Sequence, residues 1–151
     1  MLAIMESPRE SGATAPEFVR TPGPARVPSD RTILLVEDED LVCRVLAEVL
    51  KSEGYHVIRA RHGLEAIALA ADHAGRIDLL ITDVSLPHLS GWELATRLGE
   101  TRGPIPVLFM SGFAPEEIAF QGQTIEGLSF LQKPFETRHF LAKIQEVLEH
   151  T

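Results

Sequence analysis

A chain of 151 residues with 44% hydrophobic content can bury one ordinary core and does not comfortably hold two domains. Twenty-two acidic against fourteen basic side chains leave a formal charge of -8, with no basic cluster, which opposes direct contact with nucleic acid or an anionic membrane. The single cysteine, Cys43, excludes an internal disulfide and fits a reducing compartment.

Five of the ten prolines fall in the first thirty residues, mixed with Gly, Ser, Thr and Ala and without apolar periodicity. Residues 1–30 are therefore expected to form a disordered Pro-rich tail, and 31–151 the folded domain. The opening MLAIM is too short for the apolar core of a signal peptide and runs into Glu6, and no apolar run reaches membrane-spanning length. A soluble, cytoplasmic protein without membrane contact is expected.

From residue 31 onward, short apolar runs alternate with amphipathic stretches. The runs are TILLVE (32–37), HVIRA (56–60), DLLIT (78–82), IPVLFM (105–110) and LSFLQ (128–132). Several are apolar at consecutive positions, as in strands covered on both faces. After the first, Leu41, Val42, Val45, Leu46, Val49 and Leu50 form a stripe at helical spacing that stops at Gly54. Within that helix Cys43 reads as a small core residue and not a nucleophile. LEAIALAADH (64–73) and WELATRLGE (92–100) predict two further helices, 115–121 a short one, and Phe140, Leu141, Ile144, Val147 and Leu148 a last amphipathic one. This alternation predicts a three-layer α/β domain around a parallel sheet.

In open α/β sheets ligands sit beyond the carboxyl ends of the strands, where strand order reverses. At those ends stand Glu37 and Asp38 after the first run, Asp83 in LLITDVSLP, Ser111 in LFMSG and Lys133 in SFLQKPF. In the order 2-1-3-4-5 the first and third strands are neighbours, and their three carboxylates converge. Carboxylates so close repel one another unless a cation stabilises the ionised forms. An all-oxygen set without nearby Cys or His favours a hard ion such as Mg2+. A carboxylate beside such an ion can act as nucleophile toward phosphorus, and a lysine can neutralise charge on the transferring oxygens.

These pieces, the acidic pair after ILLV, the Asp of ITDVSLPHLSG, the Ser-Gly after VLFM and the Lys-Pro-Phe after SFLQ, resemble the receiver domain of two-component response regulators over 31–150. GFAPEE after Ser111, and FLQKPF, resemble receivers attached to hybrid sensor kinases more than the standalone chemotaxis type. The family resemblance implies a flavodoxin-like (βα)5 fold with five parallel strands in the order 2-1-3-4-5. It also implies that Asp83 is the phosphoacceptor, taking a phosphoryl group from a phosphohistidine on a sensor histidine kinase or histidine phosphotransfer protein.

Asp38 would then bind Mg2+ directly, Glu37 mainly through water, and the Ser85 backbone carbonyl would complete the set with Asp83. Ser111 would hydrogen-bond the phosphoryl group, Lys133 would pair with it, and Phe130 would be an aromatic switch. The Lys133-Pro134 bond corresponds to one often cis in this family. Glu37 stands where many members have Asp, and Ser111 where many have Thr. Both keep the functional group, so they bear on rates.

The expected output is a shift of the loop and short helix after Ser111, the fifth strand and the last helix. Such a protein is no enzyme beyond its own phosphorylation and dephosphorylation, and no DNA-binding or enzymatic output domain is expected in this chain. The resemblance leaves the downstream effector open and leaves room for a phosphorylation-dependent homodimer.

Blander readings stand beside these. Acids after the first strand can serve only as helix caps, Ser111-Gly112 as a turn, Phe130 as core and Lys133 as a surface residue. The six histidines show no ligand spacing, and Trp92 is expected to pack the third helix on the sheet. Two other functions compete: a pseudo-receiver that binds partners without being phosphorylated, and a Mg2+-dependent phosphohydrolase of the haloacid dehalogenase type. The hydrolase needs a second Asp two residues after its nucleophile, where this chain has Ser85.

Overall fold

The computed structural model describes residues 30–114, 116–117 and 128–150. Five strands, β1 (Thr32–Val36), β2 (His56–Ala60), β3 (Leu79–Asp83), β4 (Val107–Ser111) and β5 (Ser129–Gln132), form one parallel sheet in the order β2-β1-β3-β4-β5. Helices α1 (Asp40–Ser52), α2 (Gly63–Asp72), α3 (Gly91–Arg102) and α4 (Thr137–Glu149) lie between or after them. The expected tail up to residue 29, and the expected helix at 115–121 apart from 116–117, lie outside the described residues.

The consecutive apolar runs are explained by burial on both faces. Every residue of β1 and β3 is buried. Alternate residues point to opposite sides, so Ile33, Leu35, Leu79, Ile81, Leu108 and Met110 join Leu50 of α1 and Phe140 and Ile144 of α4 in one core. Leu34, Val36 and Leu80 meet Ala66 and Ala70 of α2 and Leu94 and Leu98 of α3 in the other. Each fully buried large side chain contributes about 1.5–3 kcal/mol of transfer free energy.

Local chemistry sets the helix ends. Beyond α1, the Gly54 N–H donates to the Lys51 carbonyl and the Tyr55 N–H to the Leu50 carbonyl, with Gly54 at φ 95°. This Schellman arrangement needs a residue that tolerates the left-handed region. The α1 stripe faces the core less fully than its spacing predicts: Leu41 is 66% and Val45 52% exposed, while Cys43, Leu46, Ala47 and Leu50 are buried. The apolar arc is wider than the contact, and packing selects the side centred on Cys43. The Arg102 guanidinium donates to the carbonyls of Ala70, His73 and Gly75, tying the end of α3 to the end of α2.

Candidate functional site

β1 and β3 are hydrogen-bonded neighbours in register, Val36 beside Thr82, so the residues that follow Val36 emerge next to Asp83. Glu37, Asp38 and Asp83 each offer an oxygen, and these atoms lie within 4.8 Å of one another. Glu37 is fully buried, Asp83 is 4% exposed, and Asp38 is exposed. Among the described residues, one cation enters the cluster: Lys133 Nζ lies 2.6 Å from Glu37 Oε1 and 2.9 Å from Asp83 Oδ1. Lys133 is delivered by the end of β5, where its N–H donates to the Ser111 carbonyl at 2.7 Å, and its peptide bond to Pro134 is cis.

The charges do not balance. Glu37, Asp38 and Asp83 carry three negative charges when ionised, and Lys133 supplies one positive charge. Burial, followed by the hydrogen-bonding contact with the Glu37 carboxyl group, pushes the Asp83 pKa up to about 7, against the lowering effect of Lys133. Burial also disfavours ionised Glu37, yet its hydrogen bonds with Asp83 and Lys133 hold its pKa below the ordinary value. Burial likewise opposes charged Lys133, but Glu37 and Asp83 outweigh it and raise its pKa.

As a carboxylate, Asp83 keeps Oδ2 buried with no hydrogen-bond partner among the described residues. Such an orphaned acceptor costs about 1–3 kcal/mol. An all-oxygen set with excess negative charge and an unsatisfied buried oxygen fits a hard divalent cation.

Around this cluster the backbone is held tightly. The Thr82 hydroxyl donates to the Asp83 carbonyl at 2.9 Å, and the Gly91 N–H donates to the Val84 carbonyl at 2.9 Å. A Cβ at Gly91 would sit 2.2 Å from the Asp83 carbonyl oxygen, so only glycine lets the start of α3 approach the tip of β3 this closely. A capping box fixes that start: Ser90 Oγ accepts from the Glu93 N–H at 3.2 Å, and the Glu93 carboxylate accepts from the Ser90 N–H at 3.3 Å. Before it, the Leu89 N–H donates to the Pro87 carbonyl at 2.7 Å across His88 at φ 68°, a strained γ-turn.

The other expected residues sit at neighbouring positions. Ser111, 4% exposed, ends β4, and its Oγ accepts from the Phe113 N–H at 2.9 Å. Phe130 is half-buried on β5, packed with Trp92 beside a buried pair, Val84 and Phe109. Ser85 is exposed in the loop after Asp83. Among the described residues, no side chain caps the start of α1, where the blander reading of the acids after β1 would put one; Glu37 Oε2 instead accepts from the Glu39 N–H at 3.2 Å, ahead of the helix.

Three contributors escaped the sequence reading, namely Thr82, Ser90 and Gly91. The Ser-x-x-Glu spacing of Ser90 and Glu93 is a recognisable helix-start signal. The contact that requires Gly91 joins two elements and has no local signal.

A family model for the response regulator receiver domain matches residues 33–145, most of the chain and all of this cluster. The chain belongs to the response regulator receiver domain family. This receiver domain is 35% identical over 118 residues to the sensor kinase CckA of Brucella abortus, covering 78% of this chain and 12% of that protein. It is 32% identical over 123 residues to the polar-differentiation response regulator DivK of Brucella anthropi, covering 78% and 96% of the two chains. A crystal structure of the receiver domain from the hybrid histidine kinase CckA matches with a TM-score of 0.65 and 37% identity, over 78% of this chain and 98% of that one. The receiver domain thus spans a small part of the first relative, about half of the matched transcriptional regulatory proteins, and nearly all of DivK. Among its described residues, no helix is long and apolar enough to cross a membrane.

Proposed function

We propose that this receiver domain is a phosphoryl-accepting signalling switch of a two-component phosphorelay, with Asp83 as acceptor. The observation that carries the reading is the buried, under-compensated Asp83 carboxylate, which shares one lysine with Glu37 and has an unsatisfied oxygen.

In the proposed step, an Asp83 oxygen attacks the phosphorus of a phosphohistidine on a sensor histidine kinase or histidine phosphotransfer protein. A P–O bond forms, the P–N bond breaks, and the leaving imidazole nitrogen keeps the bonding pair and takes up a proton. Asp38, Asp83 and the Ser85 carbonyl would hold a Mg2+ ion, with Glu37 acting through water. When bound, that ion supplies charge neutralisation for the phosphoryl oxygens.

Lys133, already in place between the two buried acids, pairs with the transferred group, and the Ser111 hydroxyl donates to it. Ser111 must turn to do so, which weakens its acceptance of the Phe113 N–H and opens room for Phe130 to move inward. The result is a population shift in the loop after Ser111, β5 and α4. We assign the folded receiver to 31–151, a tail to 1–30 and the site of action to the cytoplasm, and infer no activity beyond the domain's own phosphorylation and dephosphorylation.

The test is phosphotransfer from a phosphorylated kinase domain, together with amide NMR under beryllofluoride and Mg2+. Wild type should take the label and show shifts at Asp83, Ser111 and Phe130, and Asp83→Asn should do neither. Labelling that persists in Asp83→Asn would reject the acceptor assignment. A folded wild type that neither labels nor responds would move the function to a non-phosphorylated pseudo-receiver that acts as an interaction module.

A further inference from the structure

On β3, Leu79 and Ile81 face the core with α1 and α4, and Leu80 faces the core with α2 and α3. Thr82 shares the face of Leu80 and breaks an otherwise apolar row, with Val36 on β1 and Phe109 on β4 as its register partners. It is fully buried. A hydroxyl enclosed by such neighbours costs free energy unless it is hydrogen-bonded. It donates to the Asp83 carbonyl at 2.9 Å, and that oxygen lies against Gly91 at the start of α3, with no room for a Cβ. The next peptide groups are held as well: the Val84 N–H donates to the Met110 carbonyl and the Val84 carbonyl accepts from the Gly91 N–H, each at 2.9 Å. Of these three bonds, only the one to the Asp83 carbonyl is supplied by a side chain.

We propose that Thr82 is a positioning residue for phosphoryl acceptance: its hydroxyl holds the Asp83–Val84 peptide in the orientation from which the Asp83 carboxylate and the Ser85 carbonyl reach one ion. The proposal rests on the reading of Asp83 as the acceptor, with Mg2+ held by these groups. Successive strand residues point to opposite faces, so the Thr82 side chain stands on the other side of β3 from the acidic cluster. It touches no reacting atom and acts through the backbone of its neighbour. A buried carbonyl deprived of its donor is left with the full cost of an unsatisfied acceptor, and turning toward another donor or toward water relieves that cost. Here the carbonyl belongs to the acceptor residue itself. Turning its peptide rotates the chain on either side, which displaces the Asp83 side chain and the Ser85 carbonyl together. A displacement of about 0.5 Å is enough to spoil a site of this kind.

Thr82→Val removes the hydroxyl and keeps the shape among apolar neighbours, whereas Thr82→Ser keeps the donor and loses a methyl group. Both are made in the full chain with Mg2+. Thermal melts report the fold, and beryllofluoride titrations followed by fluorine-19 NMR report the site. Thr82→Val should bind the analogue about five- to tenfold more weakly than wild type, the equivalent of one hydrogen bond, and its Asp83 and Ser85 amides should be shifted before any analogue is added. Thr82→Ser should bind within about twofold of wild type because its donor remains, although it loses stability with its methyl group. A role in packing alone would do the reverse, weakening the serine variant and sparing the valine one. Wild-type affinity in Thr82→Val, or an equal loss in both variants, overturns the positioning role and leaves the acceptor reading intact. Where Thr82→Val does not fold, Thr82→Cys, a weaker donor of similar size, takes its place with the same expectation. Absence of any bound analogue in wild type overturns the acceptor reading and the positioning role with it.

Discussion

At Asp83 the folded chain holds a carboxylate where burial and a second acid disfavour its charge, and the consequence is a pH dependence. Its pKa is raised from 3.8 to about 7, so between those values the folded protein keeps a proton that the unfolded chain has released. The stability from this group is complete below about pH 4 and is lost as pH rises through about 7. Glu37, whose pKa is lowered, acts in the opposite sense, but only below its ordinary 4.5. In metal-free buffer, stability should therefore fall between about pH 5 and 7, by at most about 1.4 kcal/mol per pH unit. Asp83→Asn should flatten that slope and be the more stable protein at neutral pH. Urea midpoints in EDTA across this range are the check, and an unchanged slope in the variant would remove Asp83 as its source. The strand-end acids and Lys133 were legible in the sequence because each follows an apolar run. That Lys133 bridges Glu37 as closely as Asp83 was not legible, because it depends on the spacing of three strand ends.

Among the elements, the start of α3 is held beside Asp83 by two features of different kinds. Ser90 caps the helix locally, and its replacement by alanine should cost about 1 kcal/mol of stability and leave the Asp83 response to beryllofluoride unchanged. Gly91 lies against the Asp83 carbonyl. Gly91→Ala must push α3 or the tip of β3 away, at about 1–3 kcal/mol, and should weaken analogue binding as well. Thermal melts paired with analogue titrations separate the two, and equal binding in both variants would show that the Gly91 contact does not position Asp83. The helix itself was predicted at 92–100 and spans Gly91–Arg102. Its longer ends come from the capping box and from the Arg102 bonds to the end of α2, neither of which is a property of apolar spacing. Along α1 the opposite happened: the spacing offered more apolar surface than the sheet covers, leaving Leu41 and Val45 exposed.

For the molecule as a whole, a cation held only by the folded state must stabilise it. With Mg2+ at about one hundred times its dissociation constant, wild type should gain about 2.7 kcal/mol, and the gain should be lost in Asp83→Asn. Melting curves with and without Mg2+ test this; an equal gain in the variant would place the ion elsewhere. The sequence alone determined the strand-helix alternation, the double burial of the central strands and the residues that end each strand, because periodicity and strand-end chemistry are local. The resemblance to a known family already implied the strand order 2-1-3-4-5 that the sheet shows; only the tertiary structure decided that one lysine is shared by two buried acids and that Gly91 meets the Asp83 carbonyl. Those depend on residues distant in the chain arriving at one place, and no window of local sequence records such a meeting.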